Sequence, residues 1–272
     1  MNRRNEVAAE SDLQRALDCG ELIRLYQPIV ELETGAPAYV EALLRWDHPD
    51  RGRLTPDEFL VEADDSALLV RIGWSVVIEA ARRAGEWRRA HPERPITVSV
   101  NLSSEHLEKR ELPGRVERLL LDNLVPGPNA MAFEVSERTL LSSRVRVRAR
   151  DRLVPLRNLG VEIVIDDFGA TALTTAAGPS DLRDVIVELL EPLRAFPLDV
   201  IKLDPSVINR LDGEVADVVA AAHSIDVRVV AVGLEDDVAA ERAREAGVDL
   251  AQGFFFHRPA PPAYVDGLLE HR

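Results

Sequence analysis

The sequence predicts an α/β fold, a modified TIM-type (β/α)8 barrel with an antiparallel first strand, and three observations support this. The length of 272 residues suits one large domain. Short apolar or β-branched runs alternate with helix-length amphipathic stretches, which is the order typical of a mostly parallel sheet. Polar side chains recur where these runs end, as expected for a barrel whose site is built at the carboxyl ends of its strands. A doubly wound open sheet is the alternative.

The strand-like runs come first in the argument. They cover residues 22–30, 38–44, 96–100, 130–135, 161–165, 200–203, 228–232 and 250–254. The turn Glu33-Thr34-Gly35 joins the first two, and so short a link favours an antiparallel hairpin over a strand–helix step. We interpret Phe254-Phe255-Phe256 as part of a buried last strand.

Helical patterns lie between the strands. The clearest covers residues 67–90, where Leu68, Ile72 and Val76 recur at helical spacing. Others cover residues 56–64, 113–123, 144–159, 184–195, 214–224 and 238–246. Nothing resembling a linker divides the chain, so we expect a frayed N-terminus over residues 1–11 and a single barrel over residues 12–272.

Composition excludes several classes of protein. The formal net charge is −14, from 33 basic and 47 acidic residues, which argues against a partner that is a nucleic acid polymer. The single cysteine, Cys19, excludes an intrachain disulfide framework. No apolar run has the length of a membrane span, so we expect no membrane association and a cytoplasmic location.

The polar residues at the strand ends are the main indication of a site. Alone, each is most simply a helix cap or a loop anchor. Their recurrence at successive strand ends favours one shared cavity instead, because a barrel brings these ends together. The carboxylate and amide oxygens among them suit Mg²⁺ or Mn²⁺. The set is Glu41, Asn101, Glu134, Asp166, Asp167, Lys202 and Gln252.

The motifs around these residues resemble a known family. The chain is similar to EAL domains, the modified TIM barrels that hydrolyse cyclic di-GMP to its linear dinucleotide, pGpG. Seven segments match in the family's order, and the second corresponds to the motif that names the family. They are Tyr26-Gln27-Pro28-Ile29-Val30 with Glu41-Ala42-Leu43-Leu44-Arg45-Trp46, Val100-Asn101-Leu102-Ser103, Phe133-Glu134-Val135-Ser136-Glu137, Ile165-Asp166-Asp167-Phe168-Gly169, Ile201-Lys202-Leu203-Asp204 and Gln252-Gly253-Phe254-Phe255-Phe256.

The resemblance implies a role for each matching position. A first divalent cation, Mg²⁺ or Mn²⁺, would be held by Glu41, Asn101, Glu134 and Asp166. Asp166 would also reach a second cation, which Asp167 helps to hold. Lys202 would orient the attacking water as a catalytic residue. Leu43, Arg45 and Gln252 would contact the cyclic dinucleotide, with the arginine at a phosphate.

Two departures put hydrolysis in doubt. The family has Ala-Glu-Gly-Val-Glu-Thr after its seventh strand, and here the segment reads Ala231-Val232-Gly233-Leu234-Glu235-Asp236. Val232 therefore replaces a glutamate that would bind the second cation, and valine can neither bind metal nor take a proton. The loop after Gly169 also differs, so we expect its anchor Glu137 to have lost its partner.

Three functions follow from this pattern. The first is a degenerate EAL protein that binds cyclic di-GMP as a receptor and hydrolyses it weakly or not at all. The second is an active phosphodiesterase in which Glu235 or Asp236 replaces the missing glutamate. The third is a protein-interaction scaffold that binds no nucleotide. Whether the chain is an enzyme is thus open, as are a homodimer and an unknown protein partner.

Overall fold

The computed structural model describes residues 12–59, 66–123, 125–142, 145–174, 176–211 and 214–270. The expected frayed segment, residues 1–11, lies outside them. The strands are β1 Leu22–Glu31, β2 Pro37–His48, β3 Gly52–Leu54, β4 Thr97–Asn101, β5 Met131–Ser136, β6 Glu162–Phe168, β7 Val200–Leu203, β8 Arg228–Val232 and β9 Leu250–Gln252. A helix over residues 12–19 is α1. The later helices are α2 Pro56–Phe59, α3 Ser66–Ala90, α4 Ser104–Glu108, α5 Leu112–Asp122, α6 Glu137–Leu141, α7 Arg146–Asn158, α8 Pro179–Leu193, α9 Pro205–Leu211, α10 Val215–His223, α11 Asp237–Glu245 and α12 Pro262–Glu270.

Eight of the described strands close a barrel. β2, β4, β5, β6, β7, β8 and β9 follow one another as parallel neighbours, and β1 pairs antiparallel with both β2 and β9. The predicted (β/α)8 barrel with an antiparallel first strand is confirmed, and the open-sheet alternative is wrong because β1 joins the two edges. The short strand β3 extends the end of β2 as an antiparallel hairpin outside the closed ring.

Apolar side chains fill the barrel and separate it from the helices. A cluster inside the barrel includes Ile29, Val164, Val200, Val230 and Leu250. A much larger cluster packs the outer faces of the strands against the helices, with Trp74 and Trp87 from α3 among its members. The long amphipathic pattern over residues 67–90 therefore forms α3, as predicted. No helix in the described part of the chain is both long enough and apolar enough to cross a membrane.

The last strand is shorter than predicted. β9 ends at Gln252, and Phe254 and Phe255 are 50% and 42% exposed. The chain turns at Gly253, whose backbone lies so close to Leu234 that a Cβ there would sit 2.0 Å from the Leu234 carbonyl oxygen. The buried-strand interpretation of this aromatic run was wrong, because an apolar run alone does not distinguish a strand from the turn that ends it.

Candidate active site

The carboxyl ends of the strands meet around the ammonium group of Lys202. Its Nζ donates to Glu41 Oε2 at 2.8 Å and to Glu134 Oε2 at 2.7 Å, and it lies 3.6 Å from Asp166 Oδ1. Lys202, Glu41 and Glu134 are buried. Three carboxylates that the sequence predicted to share a cavity with this lysine thus lie within contact distance of it.

Two amides fix the orientation of Glu41. Asn101 Nδ2 donates to Glu41 Oε1 at 2.8 Å, and Gln252 Nε2 donates to Glu41 Oε2 at 2.8 Å. Gln252 Nε2 also donates to Gln27 Oε1 at 3.3 Å, and Gln27 Nε2 donates to the carbonyl of His257 at 3.0 Å. Gln27 was not singled out from the sequence. Its position in the first matching segment is the signal that could have identified it.

Burial and crowding of the carboxylates shift their pKa values. Burial and the neighbouring Glu41 raise the pKa of Glu134 to about 8, against the opposing effect of Lys202. Burial alone would also raise the pKa of Glu41, but Lys202 and the two amides hold it below its ordinary value. The three carboxylates raise the pKa of Lys202 well above its ordinary value despite burial. The lysine therefore remains charged and partly neutralises an acidic cluster.

A break in strand pairing places two successive aspartates at the rim. The β6–β7 register shifts between Ile165 and Phe168, and Asp167 has a φ of 54°, in the left-handed region. Because strict alternation would send neighbouring side chains to opposite faces, this irregularity allows Asp166 and Asp167 to line the same cavity. Burial, followed by the charges of Asp166 and Asp204, raises the pKa of Asp167 to about 6.

The altered loop after Gly169 keeps its anchor. Glu137 is buried, accepts a hydrogen bond from the Gly169 backbone N–H, and hydrogen-bonds the side chain of Thr171. The expectation that Glu137 had lost its partner was wrong, because a backbone N–H supplies one contact whatever the loop sequence. Thr171, two residues further on, supplies the other.

Besides Asp167, each of the eight barrel strands contributes one side chain to the rim. Seven of these eight side chains are polar, and Val232 is the only apolar one. They are Gln27, Glu41, Asn101, Glu134, Asp166, Lys202, Val232 and Gln252. Val232 pairs in register with Gln252 and packs against the apolar cluster inside the barrel. Val232 therefore occupies the place on β8 that a polar side chain occupies on each of the other seven strands.

The two acidic residues that follow Val232 differ in position. Glu235 is exposed and lines a recess of about 280 Å³ together with Asp166, Asp167 and Lys202. The carboxylate of Asp236 accepts a hydrogen bond from Ala239 N at 2.8 Å and caps α11. Glu235 is therefore near the site, whereas Asp236 has a structural role in starting a helix.

A larger cavity lies on the other side of the rim. It has a volume of about 720 Å³, and Leu43, Arg45, Asn101, Glu134 and Asp166 are among its lining residues. The half-buried Arg45 donates to the Leu44 carbonyl at 2.7 Å and forms no ion pair within the described residues. Its guanidinium is a ready partner for an anion. Sequence reasoning missed further polar side chains in the lining, among them Asp57, Glu105, His106 and Thr139.

The residues at the rim suit a divalent cation, although the lysine occupies their centre. No group of three or more His, Cys, Asp or Glu side chains in the described part of the chain is arranged to hold a metal ion. Glu134 Oε1 is nevertheless buried without a hydrogen-bond partner among the described residues. Several hard oxygen donors with one orphaned carboxylate oxygen fit Mg²⁺ or Mn²⁺ better than any softer metal.

Comparison with known proteins identifies the family. The EAL domain profile matches residues 10–177 and 188–259. This chain belongs to the EAL domain family. The motif Glu41-Ala42-Leu43 lies on β2 of its barrel.

Individual EAL relatives cover the same region. The chain is 31% identical to the cyclic di-GMP phosphodiesterase RocR of Pseudomonas aeruginosa over 264 residues, which is 94% of this chain and 62% of RocR. It is 32% identical to the bifunctional diguanylate cyclase/cyclic di-GMP phosphodiesterase MucR of the same organism, over 96% of this chain and 36% of MucR. The chain thus spans less than two thirds of the length of these relatives.

Solved EAL structures share the fold. The PaMucR phosphodiesterase in complex with c-di-GMP superposes with a TM-score of 0.81 at 30% identity, over 95% of this chain and 99% of that chain. The EAL enzyme Bd1971, in a form bound to cAMP and cyclic di-GMP, gives a TM-score of 0.83 at 24% identity, over 99% of this chain and 70% of that chain. The second likeness concerns the fold alone.

Proposed function

We propose that this chain binds cyclic di-GMP across the carboxyl-end rim of the barrel as a receptor and hydrolyses it weakly or not at all. The observation that carries the proposal is Val232, the apolar exception among eight rim side chains, which packs against the interior cluster. The binding half of the proposal rests on the motif Glu41-x-Leu43-x-Arg45 and on relatives that are phosphodiesterases of this dinucleotide.

Divalent metal would bind at the polar side of the rim. Glu41, Asn101, Glu134 and Asp166 are the residues that would hold a first cation, and Asp167 would face a second. A bound cation would neutralise phosphate charge and lower the pKa of water. Val232 itself supplies no carboxylate to complete a second site, so activation of the attacking water should be poor.

The chain's own residues supply the remaining interactions. Arg45 forms no ion pair with the residues that the structure describes, and its planar donors match the oxygens of a phosphodiester. Lys202 is fixed by Glu41 and Glu134, so its protons point to defined acceptors and can orient a water molecule at the rim. Gln252 keeps Glu41 in place beside them.

An active phosphodiesterase is the second candidate, and the position of Glu235 favours it. This exposed carboxylate lines the same recess as Asp166, Asp167 and Lys202. It lies three residues after the position where the family has its glutamate, so its side chain would have to reach back over Gly233 to replace it. The helix cap formed by Asp236 leaves Glu235 as the only substitute in this segment.

Two measurements on the same protein separate the candidates. Radiolabelled cyclic di-GMP is titrated in Mg²⁺ and again in chelator, and pGpG formation is followed over time in Mg²⁺ and Mn²⁺. We expect saturable binding and negligible turnover. Val232→Glu should raise turnover by about a hundredfold, the scale of losing an acid–base or metal-binding group. The matched control is Val232→Gln, which has the same shape without the charge and should stay inactive.

Other outcomes select the alternatives. Robust turnover by the native chain, abolished by Glu235→Gln, would establish the active phosphodiesterase. Binding that stays undetectable at high micromolar ligand in Mg²⁺ and in Ca²⁺ would leave the nucleotide-free scaffold. Inactivity of Val232→Glu beside intact binding would shift the cause of low activity to the loop after Gly169.

A further inference from the structure

A further cavity lies on the outer side of β8, between α10 and α11, and none of the roles assigned to the rim uses it. It has a volume of about 390 Å³, which is within the range of small-molecule sites. Residues of α9, α10 and α11 form its walls, and the segment that ends β8 forms its floor. The cavity therefore has the size and the enclosure of a binding site.

The floor of this cavity is apolar. The side chains that line it and are buried are Val215, Ala231, Leu234, Ala243 and Val248. The helix walls carry mainly short side chains, so the chain itself does not fill the space between α10 and α11. A ligand with a small apolar body would gain free energy by removing this surface and its own from water.

The mouth of the cavity carries one cation and one anion. Arg242 and Glu245 are exposed, lie one turn apart on α11 and line the cavity. Within the described part of the chain, neither side chain forms a hydrogen bond or an ion pair, with the other or with any third residue. By contrast, Glu241 and Arg244 on the same helix do not line the cavity and pair with each other at 2.6 Å.

The two charges limit the chemistry of an occupant. Residues three apart on a helix are neighbours, so one small group can meet both side chains. A simple carboxylate would suit Arg242 but would place a like charge beside Glu245, and a simple amine would do the opposite. An α-amino acid carries a carboxylate, an ammonium and a side chain on one carbon atom, and it can therefore satisfy both charges and the floor at once.

We propose that this cavity binds a free apolar α-amino acid, with its carboxylate at Arg242, its ammonium at Glu245 and its side chain on the apolar floor. The cavity shares Val232 and Gly233 with the smaller recess at the rim, so the occupant would lie against the segment that carries position 232. The inference goes beyond the binding of cyclic di-GMP and does not depend on it.

The ligand class is tested by calorimetric titration of the native chain with L-leucine. We expect saturable binding with a dissociation constant between about 0.01 and 1 mM, because so small a ligand makes few contacts. Two analogues each remove one charge. 4-Methylpentanoate lacks the ammonium and L-leucinamide lacks the carboxylate, and each should bind about 3- to 10-fold more weakly. L-Asparagine keeps both charges but has a polar side chain of similar size, and it should bind at least about tenfold more weakly.

Variants of the lining test the position of the site. Ala239→Leu on α11 and Ala216→Leu on α10 each put a longer side chain into the gap, and either should lower the affinity for leucine by at least about tenfold. Arg242→Gln and Glu245→Gln each remove one charge from the mouth and should lower it by about 3- to 10-fold.

The same two helices supply matched controls. Ala220→Leu makes the same change at an exposed position of α10 outside the lining, and Glu241→Gln removes a carboxylate from α11 outside the lining. Both should leave the affinity for leucine within about twofold of the native value. Because leucine and glutamine are good helix formers, thermal melting of all these variants should stay close to that of the native chain.

Three results would overturn the proposal. The first is the absence of saturable binding by the native chain at about 10 mM leucine. The second is equal affinity for leucine and 4-methylpentanoate, since Glu245 would then have no partner in the ligand. The third is unchanged binding by both Ala239→Leu and Ala216→Leu, which would place the ligand elsewhere. Cyclic di-GMP enters none of these measurements, so each of these failures leaves the proposed function untouched.

Discussion

The barrel has a buried polar cluster at each end, and the two clusters differ in how their charges are paired. At the amino end, Tyr39 donates to Glu162 and accepts from Arg228. Asp199 pairs there with Arg157 at 2.8 Å and accepts from Ile163 N at 2.9 Å. At the carboxyl end, a single lysine contacts three carboxylates. An apolar layer that includes Val164, Val200 and Val230 lies inside the barrel with them.

Because of this difference, the amino-end cluster contributes to stability, whereas the carboxyl-end cluster is available for binding. At the amino end each carboxylate named has a donor, so the cluster closes the barrel without demanding a ligand. At the carboxyl end the carboxylates outnumber the lysine, and Glu134 Oε1 has no hydrogen-bond partner among the described residues. Excess buried negative charge lowers the stability of the fold. In barrels such charge is found at the carboxyl ends of the strands, where it can bind a cation or contact a substrate. The four predictions below test this division, beginning with the largest expected effect.

Removing the lysine should have the largest effect. Lys202→Met leaves Glu41 and Glu134 buried together without a cation, so the free energy of unfolding in chelator should fall by about 3–5 kcal/mol. Chemical denaturation measures it. Mg²⁺ should restore part of the loss, because a divalent ion can replace the ammonium among the carboxylates.

The chain supplies a matched control for this variant. Its only other lysine, Lys109, is exposed, and Lys109→Met removes the same charge from the surface. It should change the free energy of unfolding by less than about 0.5 kcal/mol. Equal effects of the two variants would mean that the carboxyl-end cluster is not under electrostatic strain.

Arg45→Ala should affect binding and spare stability. The loss of one charged hydrogen-bond donor should weaken cyclic di-GMP binding by about 1.5–3 kcal/mol, measured by calorimetric titration. Its one hydrogen bond within the described residues, to the adjacent Leu44 carbonyl, contributes little to the fold. Arg53→Ala is the control, because Arg53 pairs with Asp47 at 2.7 Å on the exposed hairpin. A similar loss for both variants would contradict a specific phosphate contact.

Tyr39→Phe, at the amino end, should lower stability and leave binding unchanged. The variant deletes the hydroxyl between Glu162 and Arg228, so the free energy of unfolding should fall by about 1–2 kcal/mol. The affinity for cyclic di-GMP should stay the same. Thermal melting and titration of the same sample check both, and a drop in affinity without a drop in stability would refute the division between the two ends.

The last prediction is a pH dependence of stability in chelator, which is the smallest of the four effects when it is expressed per pH unit. The pKa of Glu134 is raised from 4.5 to about 8 in the folded chain, so its proton is held more tightly there than in the unfolded chain. The stabilisation is complete below pH 4.5 and is lost as the pH rises through 8. For one proton the slope stays below about 1.4 kcal/mol per pH unit.

Glu134→Gln should flatten this dependence, since glutamine does not titrate. Urea midpoints at intervals between pH 5 and 8 measure it. A native profile that rises with pH over this range would show that Glu134 is ionised in the folded chain. Lys202 would then neutralise the rim carboxylates more completely than its contacts with them indicate.

Much of this molecule could be predicted from the sequence because barrel strands are local patterns. Runs of apolar residues that alternate with amphipathic helices give the order of the elements along the chain. Position 232 shows this well. The matches at Gly233 and Glu235 align Val232 with the family's glutamate. In the sheet, Val232 is the pairing partner of Gln252.

Contacts between distant segments were decided only by the tertiary structure. Tyr39 meets Glu162 and Arg228 across 123 and 189 residues of chain, and no local pattern indicates such a cluster. Lys202 binds Glu41 across 161 residues because β1 closes the ring and brings the ends of β2 and β7 to the same rim. Phe254 is exposed because Gly253 turns on the backbone of Leu234, a contact made by two loops. Sequence periodicity sets which face of a strand a side chain occupies, but only closure of the barrel sets its neighbours.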